Sequence, residues 1–174
     1  MAKHNTVETV KLSLIALLLT AVPALAERPT IQYTPFPSAG IVSATAALCG
    51  FDILAVPQAG RPNGAKLILF ENGGILTGSL FLTLTNLSTG KTANVNIGGP
   101  AQLTFNSDGT TTLVGMGHGL VALPPAPLSV TQAAGLPPVP LIYGRAEFTI
   151  DEQGNVLAIQ NVKGTVQDAC ALLQ

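Results

Sequence analysis

Few side chains in this sequence can do chemistry. Beyond residue 4 there is a single histidine, His118, and the whole chain holds two cysteines, Cys49 and Cys170. A Ser-His-Asp triad must therefore use His118. No Gly-x-Ser-x-Gly elbow accompanies it, and Gly78-Ser79 lies in the middle of an alternating segment rather than in a strained turn. A histidine-based zinc site lacks ligands. No acidic calcium loop of the EF-hand kind occurs, and no glycine-rich phosphate loop precedes a helical pattern. Asp108, Asp151 and Glu152 fall among turn residues, which does not set two carboxylates across a cleft as glycoside hydrolysis requires. The sequence therefore assigns no catalytic residue, no metal ligand and no cofactor.

Two stretches offer weaker candidates. Val114, Met116, His118 and Leu120 share one face of an alternating segment, opposite Leu113, Gly115, Gly117, Gly119 and Val121. If the first set points inward, His118 sits in the interior, where a lone histidine is more often a hydrogen-bonded core residue than a catalyst. Further on, Tyr143, Arg145 and Glu147 alternate with Ile142, Gly144, Ala146 and Phe148. On an outer face Arg145 and Glu147 make a minor ion pair. Turned into a lumen, the same residues form a polar patch for a small ligand. His118, Tyr143, Arg145 and Glu147 are thus the candidate ligand-binding set.

The reading of the cysteines depends on compartment. Lys3, His4 and Lys11 precede an apolar run, Leu12 to Val22, which Pro23 interrupts and Ala24-Leu25-Ala26 follows. This is the pattern of a cleavable signal peptide over residues 1–26, cut between Ala26 and Glu27. A bilayer span needs about 20 apolar residues, more than this run supplies. The residue directly after the cut is Glu27 and not a lipid-anchoring cysteine, no paired arginines precede the run, and no second long apolar run comes later. The expected location is secreted, extracellular or periplasmic, free of the membrane after cleavage. In an oxidising compartment Cys49 and Cys170 predict one disulfide, with only one pairing possible. It closes a loop of about 120 residues and removes the best nucleophile.

Composition narrows the partners. The net charge is −1 and only 10% of residues are charged, which argues against a nucleic-acid footprint or an anionic-membrane patch. Tryptophan is absent and aromatics make up 5%, which argues against flat platforms for sugars.

The elements that must position these residues read as β throughout. Residues 27–48 form an extended lead-in broken by Pro29, Pro35 and Pro37. Residues 49–174 form one β domain of about eight strands: 51–56, 66–70, 76–85, 92–97, 101–105, 110–121, 141–150 and 156–162. Leu76, Leu80, Leu82 and Leu84 mark an inward face, as do Ala93, Val95 and Ile97, and Ala101, Leu103 and Phe105. Phe81 is the one large residue on the polar side of its strand. Asn106-Ser107-Asp108-Gly109 and Asp151-Glu152-Gln153-Gly154-Asn155 supply turns. Such spacing predicts an all-β antiparallel meander closed into a barrel, or alternatively a two-sheet β-sandwich, ending in a minor helical turn that carries Cys170. The loop 123–140 is apolar but proline-rich, which excludes a core helix or central strand. It reads as a crossover or lid, or as a docking segment. Asn86-Leu87-Ser88 matches the N-glycosylation acceptor pattern.

Cys49, Thr89-Gly90-Lys91, Asp108-Gly109-Thr110-Thr111 and Asp168-Ala169-Cys170 together resemble small secreted bacterial all-β proteins with a single N-to-C-terminal disulfide. The resemblance spans most of the exported segment, rests on turns and a disulfide, and implies a shared fold and export without an activity. Two functions are compatible with these residues. One is a non-catalytic secreted domain that binds a small apolar ligand or another exported protein. The other is a small barrel enzyme of cyclase or isomerase type, resembling dirigent or allene oxide cyclase barrels, whose chemistry needs few catalytic groups. A lumen lined by His118, Tyr143 or Glu147 favours the second, and a core filled by Leu80, Leu82, Val95 and Phe105 favours the first.

Overall fold

The computed structural model describes residues 28–120 and 125–174; the expected signal peptide over residues 1–26, its expected cleavage between Ala26 and Glu27, and residues 121–124 lie outside the described residues. The eight expected strands are all present: β3 (Ile53–Pro57), β4 (Asn63–Phe70), β5 (Gly73–Asn86), β6 (Thr92–Asn96), β7 (Ala101–Phe105), β8 (Thr111–Leu120), β9 (Pro140–Ile150) and β10 (Val156–Asp168). Two more arise in the lead-in, β1 (Thr30–Pro35) and β2 (Ile41–Ser43). Prolines bar helix but are tolerated in edge strands, and both additions are edges. Three short helices complete the chain: α1 (Ala46–Cys49), α2 (Leu128–Ala133) and α3 (Ala169–Leu173).

All pairings are antiparallel. The main path runs β1-β4-β5-β7-β8-β9-β10, with β2-β3 and β6 joined to β5. β5 is long enough to serve two neighbourhoods. As far as Leu80 it pairs with β4, and from Leu82 with β3. On its other side it pairs with β7 as far as Leu76, and with β6 from Phe81.

A row of glycines crosses the sheet where these partners change. Gly164 faces Gly144, and Gly144 faces Gly117. Beyond them, Gly99 donates its N–H to the Gly78 carbonyl at 3.0 Å. Side chains on this line would strike neighbouring backbone. A Cβ on Gly144 meets the Lys163 carbonyl and lies 3.1 Å from Gly164 Cα, and its φ of +144° already disfavours other residues. We expect Gly144→Ala to cost about 1–3 kcal/mol in a thermal or urea melt. Gly154→Ala, at a positive φ with nothing within 4 Å, is expected to cost about 1–2 kcal/mol or less. Equal costs at the two sites would show that the close approach adds nothing.

The sheet buries two separate cores. In the first, Phe51, Ile53, Ala55, Leu82, Leu84, Val95, Leu141 and Leu173 pack around Cys170, with Cys49 and Leu80 at the edge. From Leu80 onward this is the inward alternation read from the sequence for β5 and β6, whereas Leu76, read as inward, lies outside both cores. Phe81, the exception on β5, lies under the Arg61 guanidinium at 5.0 Å, a cation–π contact. Cys49 and Cys170 form the expected disulfide, with Cα atoms 5.2 Å apart. Asp168 caps α3 by accepting the Cys170 N–H at 3.0 Å, which is the structural task of the Asp-x-Cys motif.

The second core lies on the opposite face of β9 and β10, where Ile142, Ala146, Phe148, Val156 and Ile159 are covered by Ala126, Val130, Ala134 and Leu136. The described part of the proline-rich segment is therefore a cover over the sheet. It contains a helix where the prolines argued against one. Pro127 stands at its N-cap, the end of a helix where a missing N–H costs nothing.

The expected closure into a barrel is not observed. Among the described residues the path stops at β1 and at β10, each paired on one side only. Burial is achieved without closure, since α3 packs on β5, β6 and β10. Leu103 and Phe105, read as inward, lie outside both cores, and Phe105 is exposed.

The turns behave as their residues dictate. The Asp108 carboxylate accepts from the Thr110 N–H at 2.9 Å and hydroxyl at 2.7 Å. Asp151 accepts from Gln153 and Asn155 N–H groups at 3.0 and 2.8 Å and from the Asn155 amide at 2.9 Å. These bonds hold both carboxyls below the usual aspartate range, the Thr110 hydroxyl leading for Asp108 and the Asn155 side chain for Asp151. A depressed folded-state value contributes stability above the unfolded value, near pH 4, and loses it as pH falls through the folded one. An NMR titration of the carboxyl carbons should place both midpoints below that of a free aspartate. Midpoints at or above it would contradict the turn assignment.

Candidate functional site

The structure brings together two of the four candidate ligand-binding residues. On β9, one Arg145 guanidinium nitrogen lies 3.8 Å from Glu147 Oε2, and both side chains are partly exposed. A pair this long and this wet contributes at most about 1 kcal/mol. Glu147 Oε2 also accepts from the Asn161 amide at 3.0 Å. Asn161 sits in the β10 bulge with φ +52°, a conformation asparagine tolerates. Nothing in the sequence around Gln160-Asn161-Val162 announces that bulge.

The other two candidates are elsewhere. Tyr143 is half-buried and packs against the first core. His118 is exposed and lies where the β8–β9 register shifts between Gly117 and Leu120. Its backbone N–H and C=O bond to Gly98 at 2.9 and 3.1 Å. An inward His118 is therefore not observed, because this face of β8 belongs to a part of the sheet that no layer covers among the described residues. Met116, two residues earlier on that face, is likewise exposed. Among the described residues no three His, Cys, Asp or Glu side chains are grouped to hold a metal ion.

Among the described residues the first core leaves little room for a ligand. The cavity among Ile53, Leu82, Leu84, Val95 and Leu141 measures about 30 Å³, enough for a water molecule or two. The larger concavities are open grooves. One of about 580 Å³ runs over β5, β7 and β8 between Phe70, Ile75, Leu103 and Met116. Another, of about 340 Å³, lies between Phe36, Leu76, Leu80 and Ile97, with Gly78 and Gly98 in its lining.

Both grooves belong to a wing formed by β1, β4, β7 and the first half of β5. Register partners share a face, so Ile31, Ile68 and Ile75 form one apolar row across three strands. Ile31, Ile75, Phe70 and Met116 are exposed large hydrophobics on that face. On the opposite face, Leu67, Leu69, Leu76 and Leu103 are only half-buried, and none belongs to either core. A sheet with apolar side chains on both faces ordinarily lies between layers. Period-two alternation reveals one such face at a time, and a wing apolar on both is easily read as core.

The glycosylation pattern at Asn86 has a different use. Asn86 is 2% exposed. Its Oδ1 accepts from the Ser88 and Thr89 N–H groups at 2.8 and 3.2 Å, and its Nδ2 donates to the Leu173 carbonyl at 3.0 Å. The amide is thus the clasp between the β5–β6 turn and α3, not an accessible acceptor.

The fold and site define an antiparallel β domain stapled by one disulfide, with an open sheet and no convergent catalytic group among the described residues. No protein-family model, no curated protein and no solved structure matches the chain.

Proposed function

We propose that the protein is an exported, non-catalytic β domain that binds another exported protein through the apolar wing of its sheet. The observation that carries this reading is the exposed row around Ile31, Ile75, Phe70 and Met116, backed by half-buried leucines on the reverse face. Exposed contiguous apolar surface on a soluble domain marks an interaction site. The leader-like residues 1–26 and the disulfide support export, since disulfides persist in oxidising compartments.

A small apolar ligand is the second reading, supported by the groove of about 340 Å³ between Phe36, Leu80 and Ile97, a volume within the range of ligand sites. A cyclase-like barrel has less support: it requires β1 and β10 to meet and a lumen to open, and the first core leaves about 30 Å³.

The test is a photo-activated cross-linker placed at Ile75, at Met116 or at the exposed Thr92 of β6, in the protein's own host. The proposal expects one discrete protein adduct from the first two positions and none from Thr92. No adduct at Ile75 and Met116, or equal adducts at all three, would overturn it.

A further inference from the structure

We propose that two copies of this chain join along β1, pairing antiparallel about a two-fold axis at Gln32. The contact uses the open edge of the sheet and is independent of what covers its faces.

The hydrogen-bonding direction of each β1 residue follows from one bond and the register. The Phe36 N–H donates to the Asn63 carbonyl at 3.2 Å, continuing the β1–β4 pairing, in which Thr34 faces Ala65 and Gln32 faces Leu67. In an antiparallel ladder, bonded and non-bonded pairs alternate. Thr30, Gln32 and Thr34 therefore spend their backbone groups on β4. The N–H and C=O groups of Ile31 and Tyr33 point away from it, along an edge that pairs with nothing among the described residues. Their side chains are also free, Ile31 being 52% and Tyr33 76% exposed.

Unprotected edges invite pairing, and proteins commonly blunt them with charge, bulges or proline. The opposite edge of the sheet, β10, carries a bulge at Asn161 together with Lys163 and Asp168. The β1 strand, Thr-Ile-Gln-Tyr-Thr-Pro, has neither charge nor bulge. Its prolines, Pro29 and Pro35, bound the pairing instead.

This pattern is self-complementary. With Gln32 opposite its counterpart, Ile31 of each copy faces Tyr33 of the other, and each such pair exchanges two backbone bonds. All outward groups of Ile31 and Tyr33 are then satisfied in both copies. Pro29 falls opposite Pro35 of the other copy, so the two residues lacking N–H groups meet where the ladder ends. Ile31 against Tyr33 is an aromatic to β-branched cross-strand pair, which stabilises antiparallel sheet. It also extends the apolar row of Ile68 and Ile75 across the two-fold. An uncharged strand meets its own copy without like-charge repulsion.

The experiment uses protein expressed from the full chain. Gln32→Cys places two thiols at a non-hydrogen-bonded pair, with Cα atoms about 4.5 Å apart, within disulfide reach. Mild oxidation should give a covalent dimer, with much less from Thr30→Cys or Thr34→Cys, which do not face themselves in this register. Tyr33→Pro removes an outward N–H while sparing the β4 ladder. It should weaken self-association at least tenfold in sedimentation equilibrium without moving the melting transition at concentrations where both proteins are monomeric. Monomer at every concentration, a dimer indifferent to Tyr33→Pro, or equal cross-linking at residues 30, 32 and 34 would overturn the proposal.

Discussion

Replacing Cys49 and Cys170 together by alanine is expected to lower the unfolding free energy by about 3–5 kcal/mol. The bridge spans a sequence separation of 121 residues, so it removes a large share of the open chain's conformations. It also joins α1 to α3 at the rim of the first core, where Cys170 and Leu173 are buried. Alanine keeps the site apolar, whereas serine would add an unpaired hydroxyl at the buried Cys170 position. Urea unfolding with and without a reductant should show the same loss in the native protein as in the double variant, and a steeper dependence on urea as the unfolded chain expands. An unchanged midpoint would mean that α3 is held by packing alone.

Removing the amide of Asn86 is the second large effect. Asn86→Ala leaves the Leu173 carbonyl and the Ser88 and Thr89 N–H groups without their partner, and buried groups so orphaned cost about 1–3 kcal/mol each. Water satisfies the turn N–H groups in part, so the expected total is about 2–4 kcal/mol. Asn86→Asp separates the two halves of the clasp. It keeps the acceptor for the turn but loses the donor to Leu173 and sets a carboxylate beside a carbonyl. Hydrogen exchange should then quicken in α3 while the β5–β6 turn stays protected. Equal exchange in α3 of native protein and Asn86→Asp would show that Leu173 does not depend on the amide.

Much of this architecture is legible in the residues, and the misreadings have physical causes. Strands with one buried face declare themselves through period two, as β5 does with Leu80, Leu82 and Leu84. The disulfide is legible from two cysteines read together with the signal-peptide pattern of residues 1–26. Pro29 and Pro35 masked β1, because proline excludes helix and central strand but not an edge. In β7 the same alternation misleads, since Phe105 looks like core by pattern, yet no second layer covers it among the described residues; on β8, where the alternation left the inward face open, Met116 is exposed in the same way. Pattern tells which residues share a face, whereas burial depends on what packs there. The same distinction separates His118 from the interior. The Asn86 clasp joins residues 87 positions apart, beyond the reach of any local motif.

Native mass spectrometry of the protein isolated from its own host decides whether the apolar wing is an interface. A non-catalytic domain that binds through its apolar wing predicts a complex whose added mass is that of a different polypeptide, not of a second copy of this chain, lost when Ile75 and Met116 are both replaced by lysine. A retained small molecule in place of a different polypeptide, or a complex with a different polypeptide that is indifferent to those two substitutions, would contradict it.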